Sequence, residues 1–134
     1  MPNAPARFQR VAHRGSPREH LENTLPGFLL ALEHGADAIE LDLHVTSDGI
    51  VVVHHDPVAQ GTEIRQSTWA NVQSLDLGAG ARVPRLDDVM QAVAGRATLY
   101  LEPKGAGIEA AVLEVAGRHG GPYAVHSFDH RAVE

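Results

Sequence analysis

Imidazole, guanidinium and carboxylate side chains lie in or at the ends of three apolar stretches of this sequence. His13 and Arg14 end the first stretch, Glu40 and Asp42 lie in the second, and His55 follows the third. The end of a strand is where a barrel or an open sheet exposes side chains to a ligand. Together these groups could transfer protons, bind a phosphate and hold a metal ion. The combination indicates metal-assisted cleavage of a phosphate ester.

The two carboxylates Glu40 and Asp42 are separated by Leu41 within an apolar stretch. Successive strand side chains point to opposite faces, so both carboxylates share one face, about 6.5 Å apart along the strand. A solvent-exposed acidic face is the competing interpretation of such a pair. The apolar flanks and a third carboxylate, Glu102, at the end of another apolar stretch favour a metal site. Three carboxylates suit Mg²⁺ or Ca²⁺, which prefer oxygen ligands.

Two histidines, His13 and His55, are the candidates for acid–base work. Cleavage of a phosphodiester needs one group to activate the nucleophile and another to protonate the leaving alkoxide, and imidazole can take either role. Arg14 offers a planar fork for two phosphate oxygens, and Lys104 offers a second positive charge. Strand alternation allows only one of His54 and His55 to face the site, and the spacing does not decide which.

Short apolar runs alternate with amphipathic helical patterns, which predicts βα units within a single domain over residues 1–134. Helices are predicted after the Asn23-Thr24 cap up to Gly35, and over Thr68–Leu75, Leu86–Ala94 and Ile108–His119. Strands are predicted over Phe8–His13, Ala38–Leu43, Ile50–His54, Thr98–Leu101 and Ala124–Ser127.

The link between the second and third strands is too short for a helix. Seven residues separate Asp42 from Ile50, whereas a crossover helix needs about ten or more. We therefore expect an extended return that reverses at Ser47-Asp48-Gly49, a turn sequence. A barrel built from these units would be irregular near its second and third strands.

The bulk composition excludes several classes of protein. The 134 residues carry a net charge of −6 and no cysteine, so we expect neither nucleic-acid binding nor disulfides nor thiolate metal sites. No stretch has the length and apolarity of a membrane span. Residues 1–9 lack the apolar core of a signal peptide, which favours a cytoplasmic protein.

Several motifs in order resemble the glycerophosphodiester phosphodiesterase family, within the phospholipase-C-like phosphodiesterases. The matching segments are His13-Arg14-Gly15, Glu22-Asn23-Thr24, Glu40-Leu41-Asp42-Leu43, Thr46-Ser47-Asp48-Gly49, Val53-His54-His55-Asp56, Val83–Val89, Leu101-Glu102-Pro103-Lys104 and Ser127-Phe128-Asp129. The resemblance implies a TIM-type (β/α)8 barrel that hydrolyses glycerophosphodiesters to an alcohol and glycerol 3-phosphate. Pro103 and the short segment 58–64 depart from the family pattern.

The resemblance also implies a role for each candidate residue. Metal ligation falls to Glu40, Asp42 and Glu102, with Mg²⁺ or Ca²⁺ as the ion. His13 and His55 are the acid and base, and here the resemblance selects His55 over His54. The remaining implied roles are a phosphate contact for Arg14, a second one for Lys104, and orientation of the site by Asn23.

About five of the eight barrel strands are predicted in this chain of 134 residues. A complete barrel takes about 250 residues. We therefore expect a barrel truncated at its C-terminal end, or one completed by a homo-oligomer. Two other functions stay open. One is a sphingomyelinase D or lysophospholipase D type of phosphodiesterase, and the other is a non-catalytic metal-binding remnant.

Overall fold

The computed structural model describes residues 11–13 and 23–126 as a mixed α/β structure. Its strands are β1 (Val11–His13), β2 (Ala38–Val45), β3 (Val51–Val53), β4 (Val58–Ala59), β5 (Thr62–Glu63), β6 (Thr98–Pro103) and β7 (Tyr123–Val125). Its α-helices are α1 (Leu25–Glu33), α2 (Trp69–Gln73), α3 (Leu86–Val93) and α4 (Glu109–Gly117), and a 3-10 helix covers Ile64–Gln66.

Four parallel strands form the main sheet of the described residues, in the order β1-β2-β6-β7. The central strand β2 places Asp42 opposite Glu102 of β6 and Glu40 opposite His13 of β1. Because the strands are parallel, their carboxyl ends meet at one edge. Asp42 and Glu102 are therefore neighbours at this edge.

Strand β3 pairs antiparallel with β2, as the short link predicts. The chain reverses at a turn closed by the amide of Gly49, which donates to the carbonyl of Thr46 at 3.0 Å. Gly49 has a φ of +87°, which glycine adopts without strain. The turn returns the chain to the level of Asp42, whose carbonyl accepts from the amide of His54 at 2.9 Å.

Helix α1 begins and ends where the sequence predicts. The hydroxyl of its N-cap Thr24 accepts from the amide of Gly27 at 3.4 Å, and Gly35 follows the helix with a φ of +85°. Helix α3 differs at its end, because Ala94 takes the left-handed conformation ahead of Gly95. The other predicted helices and strands are present with ends shifted by one or two residues within the described ranges.

The segment between β3 and α3 folds into a small unit, of which the sequence predicts α2 but not the hairpin before it. Strands β4 and β5 form a two-stranded hairpin, which leads into the 3-10 helix and then α2. Its apolar residues pack into a second cluster made of Val52, Ala59, Ile64, Val72 and Val83. The unit is thus packed against the outer side of β3 rather than loose.

The main core lies between the sheet and helices α1, α3 and α4. Phe28, Leu41, Leu101 and Val112 are fully buried there, and each such side chain contributes about 1.5–3 kcal/mol relative to exposure. This packing supports the pair of strands β2 and β6, which lie side by side. None of the helices in the described residues is long and apolar enough to cross a membrane.

Candidate metal centre and active site

Three carboxylates from two neighbouring strands meet at the carboxyl edge of the sheet. Glu40 and Asp42 project from β2 and Glu102 from β6, and one oxygen of each lies within 4.8 Å of the others. Asp42 is 1% and Glu102 7% exposed, and both carboxylate oxygens of Glu40 are buried. A buried set of oxygen ligands of this kind is suited to a hard divalent cation.

The cluster makes the ionised form of Glu40 unfavourable. Burial is the largest cause, followed by a hydrogen bond with Glu102 and the nearby charge of Asp42, and together they raise the pKa of Glu40 to about 8. At neutral pH the metal-free cluster therefore keeps a proton on Glu40. Because metal ligands must be deprotonated, a bound cation would release that proton.

Lys104, the second residue after Glu102, supplies a positive charge to the same cluster. Its Nζ contacts the Glu102 carboxylate and lies 3.6 Å from Oδ1 of Asp42. Burial disfavours its charge, but the bond to Glu102 and the charge of Asp42 outweigh burial and raise the pKa of Lys104. Lys104 therefore acts as a counter-ion to the carboxylates, a contact with Asp42 and Glu102 that the sequence does not predict.

Asn23 fixes the orientation of Asp42. Its Nδ2 donates to Oδ2 of Asp42 at 3.0 Å, and its Oδ1 accepts from the Asp42 amide at 3.5 Å. The residue is 1% exposed and has a φ of +57°, a conformation that asparagine tolerates better than most residues. The residue before the N-cap of α1 thus presents its side-chain amide to the cluster.

His55 lies just after β3, with its ring paired to Asp56. Nδ1 of His55 is 2.8 Å from Oδ1 of Asp56. A carboxylate partner at Nδ1 places the proton on that nitrogen and leaves Nε2 as the nitrogen available to a ligand. The ring is 34% exposed and the Asp56 side chain 69% exposed, so the pair is open to solvent.

His44 continues the row of polar residues on β2 and contacts the backbone of His55. Its Nε2 lies 3.1 Å from the His55 carbonyl oxygen. Burial lowers the pKa of the His44 imidazole below its usual range. Strand alternation places His44 on the same face of β2 as Asp42. The contact between His44 and the His55 carbonyl depends on the path of the chain after β3, which the sequence pattern does not predict.

Two of the expected site residues, His13 and Arg14, lie partly or wholly outside the described residues. The backbone of His13 ends β1 opposite Glu40, while the His13 side chain and the whole of Arg14 lie outside the described residues. Their roles stay predictions. A separate groove of about 630 Å³, lined by Leu25, Trp69, Val83 and Gln91 among others, contains none of the three carboxylates.

Comparisons with known proteins agree on one family. Residues 13–117 match the family model described as Glycerophosphoryl diester phosphodiesterase family. A glycerophosphodiester phosphodiesterase of Caldanaerobacter subterraneus subsp. tengcongensis is 37% identical over 95 residues, which is 62% of this chain and 39% of that protein.

Solved structures give the same result. A glycerophosphodiester phosphodiesterase from Agrobacterium tumefaciens superposes with a TM-score of 0.78 at 33% identity, covering 93% of this chain and 60% of that one. A phosphodiesterase from Oleispira antarctica, solved with the product sn-glycerol-3-phosphate, gives a TM-score of 0.83 at 29% identity, over 94% and 60% of the two chains. The chain thus spans 39–60% of the length of these three relatives.

Proposed function

The chain belongs to the glycerophosphoryl diester phosphodiesterase family, and we propose on that basis that the protein hydrolyses glycerophosphodiesters to an alcohol and glycerol 3-phosphate. The observation that carries the proposal is the convergence of Glu40, Asp42 and Glu102 within 4.8 Å at the carboxyl edge of the sheet. A product complex of the Oleispira antarctica relative supports glycerol 3-phosphate as the product. We further propose that the parallel strands form part of a TIM-type barrel.

The three carboxylates would hold the divalent ion, with Mg²⁺ and Ca²⁺ both suited to an all-oxygen ligand set. Two observations support the fit of these residues to a divalent ion. The carboxylates are buried, and Asn23 holds Oδ2 of Asp42 by a hydrogen bond. A bound ion would polarise the phosphate oxygens and offset the charge that develops on them. Lys104 adds positive charge beside the cluster, from where it would contact the phosphate, and Arg14 is proposed as a further phosphate contact.

Proton transfer is proposed for His13 and His55. One histidine would take the proton of the attacking nucleophile, and the other would donate a proton to the leaving alkoxide oxygen. Asp56 supports this role for His55, since its bond to Nδ1 leaves Nε2 open. A cytoplasmic location and assembly as a homo-oligomer stay predictions, the latter tested by the mass of the particle in solution.

The test is the release of glycerol 3-phosphate from glycerophosphocholine, measured with and without EDTA. We expect chelation to abolish the release and His55→Ala to lower it by at least about a hundredfold. His34→Ala is the matched control, because His34 is exposed on the far end of α1. Hydrolysis that survives both EDTA and His55→Ala would contradict the proposal.

Analysis of the reaction products, together with a measurement of metal binding, separates the two alternative functions. A cyclic phosphate product would indicate the sphingomyelinase D or lysophospholipase D type of reaction, in which a neighbouring hydroxyl attacks the phosphorus. Binding of Mg²⁺ or Ca²⁺ without hydrolysis would indicate a metal-binding protein with no turnover.

A further inference from the structure

The buried histidine His44 is tied to the segment that carries His55. His44 lies on β2 two residues beyond Asp42, on the same face of the strand, and is 8% exposed. Its Nε2 lies 3.1 Å from the carbonyl oxygen of His55. A carbonyl oxygen can only accept a hydrogen bond, so Nε2 carries the proton and donates it.

Strand β2 therefore holds residues 54 and 55 at two points. The carbonyl of Asp42 accepts from the amide of His54 at 2.9 Å, and the His44 ring donates to the carbonyl of His55. Ladder pairing between β2 and β3 ends at Val53. Beyond Val53, the hydrogen bond from the His44 side chain to the His55 carbonyl connects the two strands where a backbone–backbone bond would otherwise do so.

The other contact of His55 is weaker. The bond between its Nδ1 and Asp56 is exposed to water, where such contacts contribute little to stability. It can select which ring nitrogen carries the proton, whereas a bond between two neighbouring residues does not by itself fix where the backbone of the segment lies. The part-buried bond from His44 acts on the His55 backbone itself, from which the ring projects.

We propose that His44 is a positioning residue: its Nε2–H bond to the carbonyl of His55 sets where the His55 imidazole stands relative to the Glu40–Asp42–Glu102 cluster. The inference rests on the proposed function, in which His55 transfers a proton at the phosphodiester. A misplacement of about 1 Å can cost a reaction about a hundredfold in rate. A histidine that merely fills its site in the core would show no such dependence on the Nε2 position.

Two amide variants test the proposal. In His44→Gln the side-chain nitrogen occupies the place of Nε2 and can still donate to the carbonyl, whereas in His44→Asn the nitrogen lies near the place of Nδ1 and falls short. Both are neutral and polar, so each should disturb the core to a similar degree. Thermal unfolding by circular dichroism measures that disturbance.

With glycerophosphocholine as substrate and Mg²⁺ present, we expect His44→Asn to lower kcat at least about tenfold with KM within about threefold of wild type. We expect His44→Gln to stay within about threefold of wild type in both constants. Wild-type kcat in His44→Asn, or equal losses in both variants that follow their thermal stability, would overturn the proposal.

A second measurement does not depend on turnover. The backbone ¹⁵N order parameters of His55 and Asp56 should fall in His44→Asn and stay at the wild-type value in His44→Gln. If the wild type hydrolyses nothing but this pattern is found, the proposed function fails and the positioning role stands. Unchanged order parameters in His44→Asn would overturn the positioning role whatever the activity.

Discussion

Replacing Glu40 with glutamine should stabilise the metal-free protein at high pH while it weakens metal binding. The folded protein keeps the proton on Glu40 up to a pKa of about 8, whereas the unfolded chain releases it near 4.5. Between these values the unfolded chain binds fewer protons, so the free energy of unfolding falls as the pH rises. Glutamine cannot ionise and escapes this loss.

The size of the effect follows from the two pKa values. The interval from 4.5 to about 8 corresponds to a ceiling of about 5 kcal/mol, since each factor of ten in proton affinity is about 1.4 kcal/mol. Solvent near the cluster screens part of this, because residue 40 is only partly buried even though its carboxylate oxygens are buried. We expect about 2 kcal/mol to be measured between about pH 5 and about pH 9.

Urea unfolding in EDTA, followed by circular dichroism, measures this difference. Glu40→Gln should match the wild type near pH 5 and exceed it near pH 9. Glu63→Gln on the exposed strand β5 is the matched control and should show no pH-dependent difference. In calorimetry Glu40→Gln should also bind Mg²⁺ and Ca²⁺ more weakly than the wild type. A variant that is less stable than the wild type near pH 9 would refute the reasoning about the cluster.

Three further variants have defined outcomes. Asn23→Gly keeps the left-handed backbone but removes the amide from Asp42, so calorimetry should show at least about tenfold weaker Mg²⁺ binding. Lys104→Met removes the counter-ion of the carboxylates, so the melting temperature in EDTA should fall and excess Mg²⁺ should restore most of it. Leu101→Ala empties a fully buried site and should lower the unfolding free energy by about 2–5 kcal/mol in urea titration.

The features predictable from sequence are those encoded locally. Strand alternation placed Glu40 and Asp42 on one face, and the short link to Ile50 predicted the antiparallel return of β3. The Thr24 cap and Gly35 marked the limits of α1. Each of these rests on spacing within about ten residues, where backbone geometry leaves few choices.

The features that escaped prediction depend on distant contacts. The two-residue strands β4 and β5 are too short to show a periodic pattern, and their packing against Val52 and Val72 stabilises them instead. The bond from His44 to the His55 carbonyl and the contact of Lys104 with Asp42 arise only when the chain has folded. Residue types alone carry no information on such contacts.

The antiparallel β2–β3 hairpin has a consequence for the order of folding. It unites Glu40, Asp42 and His55 in one continuous stretch, whereas Glu102 comes from a strand sixty residues beyond Asp42. Local contacts form sooner than those that close long loops, so the hairpin should assemble before β6 docks beside it. The repulsion between Glu102 and the two carboxylates of β2 then arises only when β6 docks. A divalent ion should therefore act chiefly on that late step, and slow the release of β6 more than it speeds formation of the hairpin.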